Sequence, residues 1–496
     1  MRANRKRRIR IAALLMAGLL LMGMAFSAGT GLAEERARDR YDLAIDVLIE
    51  EQALRVTQTV EYTNRTGRTL DGMMFCVYAN ILRRQSSVPV EPDRLDAAFP
   101  EGYAPGGIDF MRVQVNGADA EWGVQGKDEL FLRVECGLEP DESAVFRFDF
   151  YVLLPVYSGA MGVGDLTWRL TNFYPVAAVW DEVLQDFPLG GYTAMGEPLF
   201  SDAADYHATI SLPETYLLAA PGTVEATADG EGMVHYEIEA EGIRELALIF
   251  SRKMFEKTGT LDSGTTVRAL GNTPRHAQRL LTETTAAMDR LEAMLGEYPW
   301  PALTVVETEY IYDGLSYPGV IQVSTSALTG GDLIGRMHNL AAHQYFSGVV
   351  GSNRTTAPWL SEALCSYIAL LRHAEESEEK YLVEFNRQAL PALQVTIPGG
   401  VTVDSGAERF GSRMEYEIVV VDRGVVVLHD LRSAMGEETF IAALREYIGR
   451  MSMKNASASD FLSALKAVSG RDWTEFLYGY MHTIDDFVSE GVEWYE

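Results

Sequence analysis

Residues 338–346 read HNLAAHQYF and residues 359–363 read WLSEA, and these two stretches decide the fold of the chain. In a helical zinc motif of the His-Glu-x-x-His type, two histidines four residues apart share one helix face and bind the metal, and the glutamate is the general base. The corresponding positions here are Asn339, Leu340 and His343. Leucine cannot accept a proton from a metal-bound water, so a site on this frame lacks its general base.

Two further features accompany the motif. Glu362 follows His343 by nineteen residues, and residues 313–319 read DGLSYPG. The three stretches resemble the M1 family of zinc aminopeptidases, in which His-Gln-aromatic-Phe is followed by Trp-Leu-Asn-Glu-Gly and preceded by Gly-Gly-Met-Glu-Tyr-Pro-Gly. The resemblance implies a metal site at His343 and Glu362, with Asn339 at a lost ligand position. It also implies a substrate cleft at Gly314, Ser316, Tyr317 and Tyr416.

The same resemblance indicates which catalytic roles are unfilled. The family's glutamate that holds the free α-amine of the substrate is replaced by Ser316. Residues 416–424 read YEIVVVDRG, and the family's transition-state tyrosine, two residues before a basic-Gly pair, falls at Val421. The first metal ligand and the general base are also missing, at Asn339 and Leu340. The loss of all four polar roles together indicates relaxed selection for hydrolysis.

Two interpretations of the remaining metal-binding residues stay open. His343 and Glu362 are either remnants that hydrogen-bond to each other across two helices, because buried polar groups need partners, or a weak zinc site completed by Asn339. His338 cannot easily share a metal with His343, because it lies about 140° away around the helix, whereas residues four apart differ by about 40°. We therefore expect no cofactor, with zinc as the alternative.

Two carboxylates could in principle replace the missing base. Glu307 and Glu309 precede the 313–319 segment. Exposed glutamate is common, so we expect both side chains to be solvated on an edge strand rather than to reach a reacting water.

The amino terminus predicts export. Residues 2–10 contain six Lys or Arg, residues 11–32 are almost uninterruptedly apolar, and residues 31–33 end in a small-x-small pattern. An apolar run of about 20 residues can span a bilayer if it is not cleaved, so residues 1–33 are either a signal peptide or a membrane anchor. In both cases we expect an extracytoplasmic protein, either secreted or tethered at the cell surface.

Composition restricts the partners and the redox chemistry. The formal charge is −29, and the remainder of the chain is more acidic still, because residues 1–33 hold six basic residues and no acidic one. Nucleic acid is therefore excluded as a partner, and cationic peptides are modestly favoured. Three cysteines, Cys76, Cys136 and Cys365, cannot form a disulfide framework for a chain of this length, although Cys76 and Cys136 could pair.

The pattern of the chain changes once. Residues 41–255 are rich in short alternating runs such as LRVTQTVEY at 54–62, which predict strands, whereas residues 274–297 have helical periodicity. The length also exceeds what one core supports. The resemblance implies an α+β multidomain fold. In it a saddle-like antiparallel β domain at 34–255 precedes a thermolysin-like, mainly α-helical peptidase domain at 256–496.

Two functions follow from these features. The first is a pseudopeptidase that binds peptide or protein in the cleft between the domains without hydrolysing it. The second is an active zinc metallo-aminopeptidase with an atypical metal site, for which turnover would require metal. A scaffold alone does not establish catalysis, so the site residues must decide between them.

Overall fold

The computed structural model describes residues 38–193, 195, 200–397, 399–479, 481 and 482. The predicted signal peptide or anchor at residues 1–33 lies outside this part of the chain. Among the described residues, no helix is both long and apolar enough to cross a membrane. From residue 39 onward the described chain forms one compact unit.

The first part of the described chain consists mainly of strands. They are β1 (Arg40–Leu48), β2 (Ala53–Thr63), β3 (Leu70–Cys76), β4 (Gly107–Val115), β5 (Ala118–Asp119), β6 (Trp122–Gln125), β7 (Phe131–Leu138), β8 (Ser143–Leu153), β9 (Gly162–Val163), β10 (Trp168–Leu170), β11 (Val176–Ala177), β12 (Ala204–Pro213), β13 (Leu217–Ala219), β14 (Thr223–Ala228), β15 (Met233–Ile243) and β16 (Leu248–Ser251). A single turn of helix, α1 (Leu95–Ala98), interrupts them.

These strands form three sheets. One has eight strands in the order β14-β15-β12-β1-β2-β8-β4-β5, and the others have the orders β13-β16-β10-β9 and β11-β3-β7-β6. Pairing is antiparallel as predicted, except that β1 and β12 run parallel, with Arg40 opposite Asp205. The eight-stranded sheet is therefore mixed.

Alternating burial holds the sheets together. On β2, Val56 and Val60 are buried while Arg55 and Glu61 are exposed, as the pleat of a half-buried strand requires. The ring of Phe75 on β3 meets Phe146 and Phe148 of β8 at centroid distances of 5.1 and 4.9 Å. Edge-to-face contacts of this kind join the eight-stranded sheet to the β3 sheet through a common core.

The second part contains a five-stranded sheet and most of the helices. Its strands are β17 (Phe255–Thr260), β18 (Thr266–Gly271), β19 (Ala302–Thr308), β20 (Gly314–Tyr317) and β21 (Val320–Ser324), in the order β17-β18-β19-β21-β20. The neighbours β18, β19 and β21 are parallel, and the two edge strands are antiparallel. A short parallel pair joins β22 (Gly351–Ser352) to β23 (Asn455–Ala456).

The predicted helical segment at 274–297 corresponds to the first helix of this part. The helices are α2 (Pro274–Leu295), α3 (Thr325–Thr329), α4 (Leu333–His343), α5 (Glu362–Leu370), α6 (Glu378–Gln394), α7 (Arg413–Tyr416), α8 (Gly424–Met435), α9 (Glu437–Met451) and α10 (Ala458–Ser469). Two π-helical segments, Gln344–Val349 and Glu417–Arg423, continue α4 and α7, and residues 474–479, 481 and 482 are helical.

The predicted α+β fold class is confirmed. The change of architecture falls between β16, which belongs to a sheet of the first part, and β17, which pairs with β18. The helix predicted at 274–297 begins and ends for local reasons: the Thr273 side chain accepts a hydrogen bond from the backbone N–H of His276, and Gly296 has φ +111°.

The cysteines are all free thiols. Cys76 lies opposite Phe131 at the end of β3, whereas Cys136 lies further along β7 beside Glu135, which is opposite Gly72. The suggested Cys76–Cys136 disulfide is therefore not formed. Burial raises the pKa of the Cys76 thiol to about 11, as expected for a buried apolar side chain.

Candidate functional site

Helix α4 carries the motif histidines on different faces. It begins at Asp332, whose carboxylate accepts a hydrogen bond from the backbone N–H of Gly335 at 3.1 Å. His338 is buried with its Nδ1 2.9 Å from the carbonyl oxygen of Ile334, and burial lowers its pKa to about 4. His343, at the start of the π-helical segment, lines the large cleft instead. The two histidines do not converge on one point, as the helix geometry predicted.

His343 and Glu362 face each other but do not form the predicted hydrogen bond. Their Nε2 and Oε2 atoms are 3.8 Å apart, which is an ion-pair distance and too long for a hydrogen bond. His343 Nδ1 lies 3.0 Å from the Ser347 hydroxyl, so the imidazole is positioned by its own helix. Burial lowers the pKa of His343 despite the opposing charge of Glu362, and the imidazole is therefore neutral at neutral pH.

Leu340 is packed into the sheet edge. The side chain is 7% exposed, and a Cβ on Gly314 would lie 2.8 Å from its Cδ1 atom. The same Cβ would lie 2.6 Å from the backbone carbonyl oxygen of Gln322, so the neighbouring strand β21 also favours glycine at position 314. The position where a general base would stand thus holds an apolar contact between α4 and β20.

Gln344 connects the motif helix to the segment that carries Ser316. It is fully buried, and its side-chain oxygen accepts hydrogen bonds from the Tyr298 hydroxyl at 2.7 Å and the Gly319 backbone N–H at 3.0 Å. Its amide nitrogen donates to the Ser316 hydroxyl at 2.7 Å and to the Tyr317 carbonyl at 2.8 Å. The amide of Gln344 is therefore well satisfied, and Ser316 is held as part of the scaffold.

The four residues predicted to line the cleft have different locations. Gly314 and Ser316 line its wall, whereas Tyr317 and Tyr416 are 1% and 4% exposed and lie behind the surface. The Tyr416 hydroxyl is buried and has no hydrogen-bond partner among the described residues. Burial raises the pKa of this phenol, so it stays protonated and available as a donor.

Val421 lies in the second π-helical segment, half-buried and outside the wall of the cleft. The following Gly424 begins α8, and a Cβ there would lie 2.5 Å from the Cβ of Ala363 on α5. This close packing fixes the segment against the helix that carries Glu362. No hydroxyl is available at Val421 to stabilise an oxyanion.

The expectation for Glu307 was wrong. Its strand, β19, is an interior strand of the five-stranded sheet, and the side chain is fully buried. The carboxylate accepts hydrogen bonds from the Asn272 backbone N–H at 2.8 Å and the Thr325 hydroxyl at 2.8 Å, with His276 Nδ1 at 3.0 Å. Burial of a carboxylate requires such partners, so Glu307 has a structural role and does not line the cleft.

Glu309 is only partly exposed, and it does not lie on the strand β19. Its carboxylate pairs with Arg169 at 2.9 Å and accepts a hydrogen bond from the Thr167 hydroxyl at 2.8 Å. Burial raises the pKa of Glu309, but the charge of Arg169 and the bonds from Thr167 outweigh it and lower the pKa below its ordinary value. Gly164 is needed beside it, because a Cβ there would lie 1.4 Å from Oε1. Glu309 therefore cannot serve as the missing base.

The site opens into a cleft of about 990 Å³. Its wall combines the first part of the chain with helices of the second, and includes Asn172, Ser316, Asn339, His343, Arg354 and Glu362. A cavity of this size can hold a short peptide or a drug-sized molecule.

The sequence reasoning missed two groups of the cleft. Thr171 and Asn172 are buried, and the Thr171 hydroxyl and the Asn172 side-chain oxygen have no partner among the described residues. Asn172 also has φ +52°, a conformation that is uncommon outside glycine and often occurs at functional sites. Arg354 was missed because a lone arginine between two motifs carries no sequence signal.

The donor set does not fit a catalytic zinc site. Zinc sites of this kind use three protein ligands from His, Cys or carboxylates, and only His343 and Glu362 are of those types here. Asn339 contributes a neutral amide, which is a poor zinc ligand. Among the described residues, the one group of three or more candidate ligands is His207, Glu237 and Glu239, on the eight-stranded sheet.

Comparisons with known proteins agree with this architecture. Residues 332–483 match the Peptidase family M1 domain. Human aminopeptidase O is 27% identical over 202 residues, covering 35% of this chain and 25% of the relative. Aminopeptidase M1-A from Oryza sativa subsp. japonica is 23% identical over 414 residues, covering 76% of this chain and 44% of the relative. The chain thus spans less than half the length of these curated relatives.

Solved structures extend the similarity to nearly the whole described fold. The M1 zinc metallopeptidase from Deinococcus radiodurans has a TM-score of 0.65 at 17% identity, over 90% of this chain and 94% of that chain. A mutant of that peptidase bound to a Tyr-Ser-Ala substrate has a TM-score of 0.63 at 17% identity, with the same coverage. The resemblance to M1 zinc metallopeptidases predicted from the sequence is therefore confirmed.

Asp422, beside the substituted Val421, makes stability depend on pH. Burial raises the pKa of its carboxyl to about 6, although it accepts a hydrogen bond from Gln388 at 2.8 Å. A raised pKa means that folding favours the protonated form, so the stability this group contributes is present at low pH and is lost as pH rises through about 6. We expect Asp422→Asn to raise the free energy of unfolding by about 2 kcal/mol at pH 8 and by less than half of that at pH 4.5. Urea unfolding at both pH values measures the difference, and an equal change at both would contradict the assignment.

Proposed function

We propose that this protein is an extracytoplasmic pseudopeptidase that binds a peptide or a peptide segment of a protein in its cleft and does not hydrolyse it. The observation that carries the proposal is the packing of Leu340 against Gly314 at the position of the general base, beside a cleft that stays open. A hydrolase needs a group there that can accept a proton from water, and an alkyl side chain has none. Binding needs only the cavity and its polar wall.

The unpartnered polar atoms of the wall support binding. The Thr171 hydroxyl and the Asn172 side-chain oxygen are buried without a hydrogen-bond partner among the described residues, and such atoms are costly unless a ligand or water meets them. The solved relative bound to Tyr-Ser-Ala shares the fold, which supports a peptide as the occupant of this cleft. The basic and apolar pattern of residues 1–33 supports export.

A pair of tryptophan variants tests where the peptide binds. Ser326 and Thr329 are both exposed on the short helix α3, but only Ser326 lines the cleft. We expect Ser326→Trp to weaken peptide binding at least about fivefold, because the indole fills part of the cavity, and Thr329→Trp to leave it unchanged. Calorimetric titration with a peptide mixture that the native protein retains gives the comparison.

Equal affinities for the two variants would place the peptide outside the cleft. No retention of any peptide by the native protein would overturn the binding function itself. The competing function, an active metallo-aminopeptidase, requires zinc-dependent cleavage of the retained peptides.

A further inference from the structure

Arg354 differs from the other arginines of the cleft. Five arginines line the cleft besides it, and each has a partner. Arg336 pairs with Asp313, Arg372 with Asp332, Arg387 with Glu384 and Arg413 with Glu417, while Arg94 lies over the ring of Tyr312. Arg354 is half-buried in the same cavity and makes no hydrogen bond or ion pair with any residue in the described part of the chain. A half-buried guanidinium that has no hydrogen-bond acceptor in the protein can donate its N–H groups to an acceptor on a ligand.

The positive charge of Arg354 lies on the cleft wall that also contains the motif residues Asn339, His343 and Glu362. Arg354 lines both the large cleft and a small adjoining pocket that also includes Ser316, Tyr317 and Ser347. The guanidinium therefore supplies a positive charge to the cavity that His343 and Glu362 line.

Other hydrogen-bond donors near this cleft wall are also unpartnered. The Asn339 amide, on the cleft wall, makes no hydrogen bond with any described residue, and the Tyr416 hydroxyl, which also lacks a described partner, is buried behind that wall. A carboxylate offers about four acceptor sites and can accept two parallel bonds from one guanidinium. The lost amine anchor at Ser316 is engaged by Gln344 and presents no negative charge to a ligand.

We infer that Arg354 binds a carboxylate group of the peptide held in the cleft, so that the ligand is selected by its acid group rather than by a free amino terminus. The inference rests on the peptide binding proposed above. Glu362 lines the same cleft without pairing with Arg354, and its negative charge opposes the binding of a second carboxylate there.

The test uses calorimetric titration with matched tripeptides. The probes are Tyr-Ser-Ala, its C-terminal amide and its N-acetyl form, together with the amides of Tyr-Glu-Ala and Tyr-Gln-Ala. We expect the free acid to bind about tenfold more tightly than the amide, as a charge-assisted hydrogen bond implies, and acetylation to change little. The two substituted amides show whether a side-chain carboxylate can replace the terminal one.

Two variants and a control assign the effect to Arg354. Arg354→Gln should remove the preference for the acid, whereas Arg387→Gln, whose arginine lines the cleft but is paired with Glu384, should keep it. Glu362→Gln should increase the affinity for the acid, because an opposing negative charge is removed. Equal binding of acid and amide by the native protein would overturn the role of Arg354 and leave peptide binding intact. No binding of any probe would overturn both.

Discussion

Asn339→His is expected to convert the protein into a zinc-binding protein. The substitution places two histidines four residues apart on one face of α4, and with Glu362 it completes a set of two imidazoles and one carboxylate. At this site the described residues of the native protein offer only two good ligands, so we expect the variant to bind one Zn²⁺ there with an affinity at least about a hundredfold higher. Metal analysis after dialysis and a zinc titration at pH 7.5 measure the difference.

Two further substitutions make this prediction specific. Glu362→Ala in the Asn339→His background should abolish the acquired zinc, because one of three ligands is lost. Leu340→Glu in the same background should leave the zinc affinity nearly unchanged, because the general base is not a ligand. If Asn339→His acquires no zinc, the positions of His343 and Glu362 do not form a metal-site frame.

Arg244→Met is expected to lower the free energy of unfolding by about 3–5 kcal/mol, because it leaves buried acceptors without a partner. Arg244 is buried and donates hydrogen bonds to the carbonyl oxygens of Gly348, Ser201 and Lys454 and to the Asn455 side chain, at 2.6–3.1 Å. Burial lowers the pKa of this guanidinium to about 10, so it is charged at neutral pH. Three of these bonds join the strand-rich part to the second part, at Gly348 after the motif helix and at Lys454 and Asn455 after α9.

Arg445→Met is the matched control for this prediction. Arg445 also donates to two backbone carbonyls, those of Met294 and Ala293, but it is exposed. Water can replace an exposed donor, so we expect a loss below about 1 kcal/mol. Urea unfolding measures the free energy of unfolding of both variants. A similar decrease in the two variants would contradict the prediction that the buried bonds of Arg244 stabilise the fold more than the exposed bonds of Arg445.

The sequence predicted the elements and their order because those depend on local patterns. The alternation in β2, the helical periodicity of α2 and the spacing of His343 from Glu362 all follow from the printed residues. The family motifs then gave the class of fold. These features need no knowledge of distant contacts.

The failures concern groups whose environment is created by distant segments. Glu307 was expected in water but is buried, because its strand has neighbours on both sides. The hydrogen bond expected between His343 and Glu362 is not formed, because the packing of α4 and α5 holds Nε2 and Oε2 3.8 Å apart. Arg354 differs from the other arginines of the cleft only through their partners, which single-sequence patterns do not indicate. Burial and pairing at a site depend on tertiary structure, which single-sequence patterns do not specify.

The most direct test of the account is the fate of peptides bound by the native protein at saturating Zn²⁺. Mass spectrometry of a peptide library, incubated with the native protein with zinc and separately with a chelator, follows both retention and cleavage. The account predicts that retained peptides stay intact and that neither zinc nor chelator changes this. Cleavage that requires zinc and disappears with the chelator would contradict it and establish a working metallopeptidase.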